Sequence, residues 1–247
     1  MKLQYLLIIV IFYFNSVASQ EKNITVKFNV SLKEQDINPK ASDDYKYFQK
    51  VMQKEVKEIL PHLNFFVLSN RQSFQFTFER PMSLDNKPDA FINYATTLVF
   101  NGKSIYGNVL EKKSYYIPRI LEKTRMVDQN ALNWKITDEK KDILGQECFK
   151  AYVIPSESYE DYDKYIPIYA WFAPNLNYQA GPTAYANLPG LILELETNLL
   201  KYTAVDLSLT KKKVEVINKE NLDILSHKMF VQFYDEWNKN NRPSKFN

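Results

Sequence analysis

Apolar and polar residues alternate from Asn23 to Leu32, with Ile24, Val26, Phe28, Val30 and Leu32 on one side and Asn23, Thr25, Lys27, Asn29 and Ser31 on the other. A period of two predicts a half-buried strand, interrupted at Asp36-Ile37-Asn38-Pro39. The period then changes. Ser42 reads as a helix N-cap, and Asp43 and Asp44 put negative charge where the helix dipole favours it. Tyr45, Phe48, Met52, Val56, Ile59 and Leu60 recur at helical spacing until Pro61 ends the run. This predicts a helix over Asp43–Leu60 whose apolar stripe lies across a sheet.

From Leu63 onward the pattern predicts short strands. Phe65–Leu68 and Ser73–Phe78 are aromatic runs separated by Asn70, and Met82–Asp89 reads as a polar loop. Tyr94–Phe100, Asn101-Gly102 and Lys103–Tyr106 together predict a hairpin with a type I′ turn. Further strands are expected at Ser114–Ile117, Lys123–Val127, Trp134–Thr137, Cys148–Ile154, Ile166–Phe172 and Leu188–Leu195. Thr203–Leu209 and Val214–Ile217 are expected to form a closing hairpin. A last helix over Leu222–Asn238 carries an apolar stripe of Phe230, Phe233, Tyr234 and Trp237. Many short strands without a strand–helix–strand rhythm predict an α+β, mainly β, protein built on an antiparallel sheet.

The N-terminus bears on the compartment. Met1-Lys2, an apolar run from Leu3 to Phe14 and the small residues of Ser16-Val17-Ala18-Ser19 read as a cleavable signal peptide over residues 1–19. The run is too short to span a bilayer, and no Cys follows it that would take a lipid. Residues 20–247 are expected to be one domain in the periplasm or outside the cell, not membrane-spanning after cleavage. The formal charge of +3 is spread among mixed signs, and the longest basic run is Lys211-Lys212-Lys213, so nucleic acid is not expected as a partner. Cys148 is the only cysteine, which excludes an intramolecular disulfide and leaves an inert, buried thiol as the preferred reading of that residue.

Residues 170–196 read AWFAPNLNYQAGPTAYANLPGLILELE. Gly181-Pro182 and Leu188-Pro189-Gly190 punctuate a loop that feeds an alternating strand from Leu191, and Trp171 falls on the preceding strand. With Leu132-Asn133-Trp134-Lys135-Ile136 and Ile143–Ala151 upstream, the segment resembles the GLPGLI family of Bacteroidetes over roughly residues 120–210. Asn187 stands where the first Gly of that name would be, and Asn is the non-Gly residue best suited to positive φ. The resemblance carries no established activity. The strand pattern is similar to that of periplasmic half-barrels of the lipoprotein-carrier type, so a curved sheet cupping the two helices is expected. In the motif, Trp171 is expected to cover the loop and Gly190 to allow either a close approach or positive φ.

Familiar catalytic sets are missing. The two histidines, His62 and His227, neighbour neither Cys148 nor each other in sequence, and no phosphate-binding glycine loop or G-x-S-x-G elbow occurs. Glu157, Glu160, Asp161 and Asp163 lack the spacing of a calcium loop, so no metal and no cofactor is expected. The aromatic content instead suits a binding or carrier protein for a hydrophobic ligand or an outer-membrane partner. The alternatives are a thiol- or carboxylate-dependent hydrolase and an accessory subunit of an outer-membrane complex. Trp171, Gly181, Pro182, Leu188, Pro189, Gly190 and Cys148 are the candidate ligand-binding or structural positions.

Overall fold

The computed structural model describes residues 23–37, 39–100, 104–118, 121, 125–129, 132–154, 166–215 and 222–241. The signal peptide, the Asn101-Gly102 turn and the acidic cluster of Glu157, Glu160, Asp161 and Asp163 lie outside them. Twelve strands form one open sheet: β1 (Asn23–Leu32), β2 (Asn64–Ser69), β3 (Ser73–Glu79), β4 (Ile105–Asn108), β5 (Lys113–Tyr116), β6 (Arg125–Gln129), β7 (Trp134–Ile143), β8 (Gln146–Val153), β9 (Pro167–Ala173), β10 (Leu191–Thr197), β11 (Leu200–Thr210) and β12 (Asp223–Ser226). The helices are α1 (Asp43–Ile59), α2 (Asp89–Phe100) and α3 (His227–Asn241).

The strand order β12-β6-β5-β4-β3-β2-β1-β11-β10-β9-β8-β7 consists of two meanders joined through β1 and β11. Every pairing is antiparallel except β12 with β6, which is parallel, so the sheet is mixed rather than purely antiparallel.

The alternation in β1 does what its pattern implies. Val26 pairs with Val67 and Phe28 with Phe65 on one side of the sheet, and Val67 pairs in turn with Phe76. All five are buried. Helix α1 begins as the sequence indicates, with the Ser42 hydroxyl accepting the Tyr45 N–H at 3.3 Å, and buries Met52, Val56 and Ile59.

Two segments differ from the sequence reading. Tyr94–Phe100 is no strand but the second half of α2, which buries Ile92, Ala95, Thr96, Val99 and Phe100 at helical spacing. Its β-branched residues are accommodated because Thr96 and Thr97 hydroxyls bond back to Ile92 and Asn93 carbonyls, and because Phe100 packs 4.8 Å from Phe76 and 5.9 Å from Phe65. Among the described residues no closing hairpin forms either: β11 pairs with β1 and β10, residues 211–215 are not a strand, and the rest of the expected Val214–Ile217 strand lies outside them. Helix α3 starts at His227, after β12 has used Asp223–Ser226, and Phe230 sets its ring edge-on to Tyr116 at 6.0 Å.

Candidate functional site

The motif loop starts where β9 ends. Pro174–Leu176 form one tight turn, and Asn177 takes the left-handed backbone, φ 52°, that lets the chain reverse. Ala180 then bridges to Leu191, and the Ile192 N–H donates to its carbonyl at 2.9 Å, so the loop folds back on the strand it precedes. Gly181 lies against Ile192; a Cβ there would come within 2.8 Å of the Ile192 Cδ1. Gly190 lies against backbone, and its Cβ would meet the Ala173 carbonyl oxygen at 2.6 Å. The requirement at Gly190 is therefore close approach, not positive φ: among the described residues Gly145 is the glycine with positive φ. Pro182 and Leu188 are buried and Pro189 is exposed.

Asn187 also departs from expectation. It is absent from the residues of positive φ, and works through its side chain. Its oxygen accepts the indole N–H of Trp134 at 2.8 Å, and its nitrogen donates to the Leu132 carbonyl at 3.0 Å. Tyr185 packs beside them on Leu132 and Ile166. Trp134, not Trp171, is thus the tryptophan that holds the loop.

Trp171 faces the other way. It pairs with Glu194 and Lys150 across the neighbouring strands, whereas Phe172 pairs with Ile192 and Phe149 on the loop side. Its buried ring has the Lys141 ammonium 4.5 Å and the Lys150 ammonium 5.6 Å from its centre. Lys141 also pairs with Glu194 at 2.9 Å. Tyr169 donates to Glu196 at 2.6 Å, and burial together with that carboxylate raises the phenol above its ordinary range. This is a structural network on the sheet face opposite the loop.

Cys148 belongs to that face as well, opposite Lys141. It is fully buried, its Sγ donates to the Gln146 carbonyl at 3.4 Å, and burial pushes the thiol up to about 11. Lys141, Asp142 and Glu194 are the charged groups acting on it; neither histidine is among them. Such a thiol stays protonated and is a poor nucleophile. Among the described residues no group of His, Cys, Asp or Glu is arranged to hold a metal ion, and no helix is long and apolar enough to cross a membrane.

On its other flank the motif loop faces β3, β4 and β5 across a cleft of about 300 Å³. The loop contributes Gln179, Ala184, Ala186, Asn187 and Pro189; the strands and the turn between β4 and β5 contribute Phe74, Asn108, Val109, Lys112, Lys113 and Ser114. Gly107 makes room for Phe74, whose ring lies where a Cβ at Gly107 would be, 1.8 Å from Cε1. The Asn108 side chain accepts the Glu111 N–H at 3.0 Å, and Lys112 closes the turn at φ 54°. Lys113 pairs with Asp128. The Ser114 hydroxyl makes no hydrogen bond among the described residues; the buried unpaired side-chain oxygens are those of Thr25 and Gln49, outside the cleft. No acidic side chain lines the cleft.

Of the positions singled out from sequence, Pro189 reaches this cleft, Gly181, Pro182, Leu188 and Gly190 shape the loop behind it, and Trp171 and Cys148 lie on the opposite face. Ser114, Lys112, Asn108 and Gln179 had no motif to mark them. They meet because a loop crosses strands far away in sequence.

Residues 156–194 match a family model described as a protein of unknown function (Porph_ging). The match covers β9, the motif loop and the start of β10. No curated protein matches the chain. Among solved structures, PNGF-II is similar at 14% identity with a TM-score of 0.51, over 86% of this chain and 33% of that one. A second crystal form of PNGF-II gives 12% identity and a TM-score of 0.47, over 87% and 33%. The chain spans about a third of the length of that structure, and the likeness is one of fold.

Proposed function

We propose that this is an exported binding or carrier protein of the cell envelope, periplasmic or secreted, whose ligand seats between the motif loop and β3–β5. One observation carries the reading. The segment that a family model matches and strands β3–β5 line one cleft, and the Ser114 hydroxyl on its wall is left without a hydrogen-bond partner among the described residues. The thiol form of the hydrolase alternative is disfavoured, because Cys148 is buried on the other face and held protonated; its carboxylate form does not depend on that residue. An accessory-subunit role is favoured by one feature only, the exposed Met229, Tyr234 and Trp237 of α3.

The GLPGLI reading of the motif and a half-barrel form of the sheet belong to the same proposal. Support for the half-barrel comes from connectivity. β6 and β7 are ten strand positions apart, which in a flat sheet is about 48 Å. Residues 130–133 alone join them, and a chain of that length reaches at most about 18 Å.

The test is native mass spectrometry of the protein taken from its own envelope, beside a Gln179→Trp variant that fills the cleft from a half-exposed position. A co-purifying mass present in the parent and lost from a variant of unchanged melting temperature is expected. A mass retained by the variant places the ligand elsewhere and overturns the reading.

A further inference from the structure

The polar groups of the cleft are unbalanced, and the imbalance describes a ligand. The Ser114 hydroxyl is unpaired. The Asn108 oxygen is taken by the Glu111 N–H, which leaves that amide's nitrogen as a donor. Lys112 has no carboxylate partner among the described residues, whereas the charge of its neighbour Lys113 is answered by Asp128. Three donors and one uncompensated positive charge thus stand together with no acid beside them. Val109, Ala184 and Ala186 supply an apolar wall.

From this we infer that the cleft binds the carboxylate of a small amphipathic acid, with Ser114, Asn108 and Lys112 as the head-group site and the alanine-lined wall for its apolar part. The inference rests on the cleft being the ligand site proposed above. One free charge suits a monoanion; a phosphate dianion would call for a second cation, and Lys113 is already engaged. A neutral ligand would leave the Lys112 ammonium unanswered. A free acid and a peptide C-terminus both carry such a carboxylate, and the probes below separate the two sources.

The experiment follows the backbone amides of the ¹⁵N-labelled full chain by NMR during titration with octanoate, with octanamide, and with an alanine tripeptide carrying a free or an amidated C-terminus. Octanoate or the free-acid peptide should shift residues of 108–114 and 179–189, and the tighter of the two identifies the source. Each amide should bind about tenfold more weakly than its acid, the worth of one charge-assisted hydrogen bond. Lys112→Met should weaken acid binding by a similar factor, remove most of its dependence on salt, and leave amide binding unchanged. Ser114→Ala should weaken binding while the free protein melts at the same temperature, because the hydroxyl makes no bond among the described residues. A purely structural serine would lower the melting temperature instead. Equal affinity for acid and amide overturns the carboxylate assignment and leaves the cleft as a site. If no probe shifts the cleft, the assignment falls, and the Gln179→Trp mass comparison alone decides whether the cleft binds anything.

Discussion

The indole N–H of Trp134 donates to the Asn187 side chain at 2.8 Å, tying the first residue of an edge strand to the loop that turns into β10. The same amide answers the Leu132 carbonyl, so one asparagine serves both a donor and an acceptor of the opposite segment. Replacing it by Gly removes both bonds. Asn187→Gly should cost about 1–3 kcal/mol, read by urea denaturation with tryptophan fluorescence. A variant as stable as the parent would show that the amide contributes nothing to holding the loop.

Gly190 has a different kind of necessity. A methyl group there meets the Ala173 carbonyl and the Pro174 Cα, both backbone, which cannot swing aside as a side chain would. Gly190→Ala should cost about 1–3 kcal/mol by overpacking. Its melting temperature should fall although no left-handed backbone is involved. Unchanged melting would mean that the β9–loop junction yields freely.

Trp171→Ala removes a buried ring from between Lys141 and Lys150, and should cost about 3–5 kcal/mol. Because the ring faces away from the cleft, the folded variant should keep the parent's ligand affinity. Loss of binding at retained stability would contradict the assignment of faces.

Cys148 should resist a thiol reagent in the folded protein and react at once on unfolding. Its raised folded value also fixes a pH dependence. The unfolded thiol ionises near its ordinary value of 9.0 and the folded one near 11, so the contribution to stability is intact below the first and is lost as pH climbs through the second. Cys148→Ala should flatten the stability profile across that alkaline window. A parent profile already flat there would show the thiol to be ordinary.

Local chemistry was legible where one element decides its own structure. Ser42 caps α1, and the ten alternating residues of β1 form the strand they imply. Reading failed where distant partners decide. Tyr94–Phe100 carries strand-forming residues, and only the packing of Phe100 on β2 and β3 explains its helix. The Asn101-Gly102 turn lies outside the described residues, while a tight hairpin turn that no pattern marked forms at Leu144–Gly145, at φ 55° and 74°, with the Gly145 N–H donating to Asp142. The motif was visible as a shaped loop. Its cleft was not, because Ser114 and Gln179 are brought together by strand order, which no local pattern encodes.

The β1–β11 ladder, from Asn23↔Thr210 to Leu32↔Leu200, has a consequence in time. The seam between the two meanders joins the first strand to the eleventh, so the middle of the sheet cannot be completed until nearly the whole chain is available. Until then β1 offers β2 one edge and leaves the other bare, an apolar edge open to the wrong partner. Contacts so remote in sequence slow folding, and they put the hazard of misassembly in the centre of the sheet rather than at its rim. Slow, concentration-sensitive refolding, relieved by supplying residues 200–210 as a separate peptide, is the behaviour that such a seam imposes.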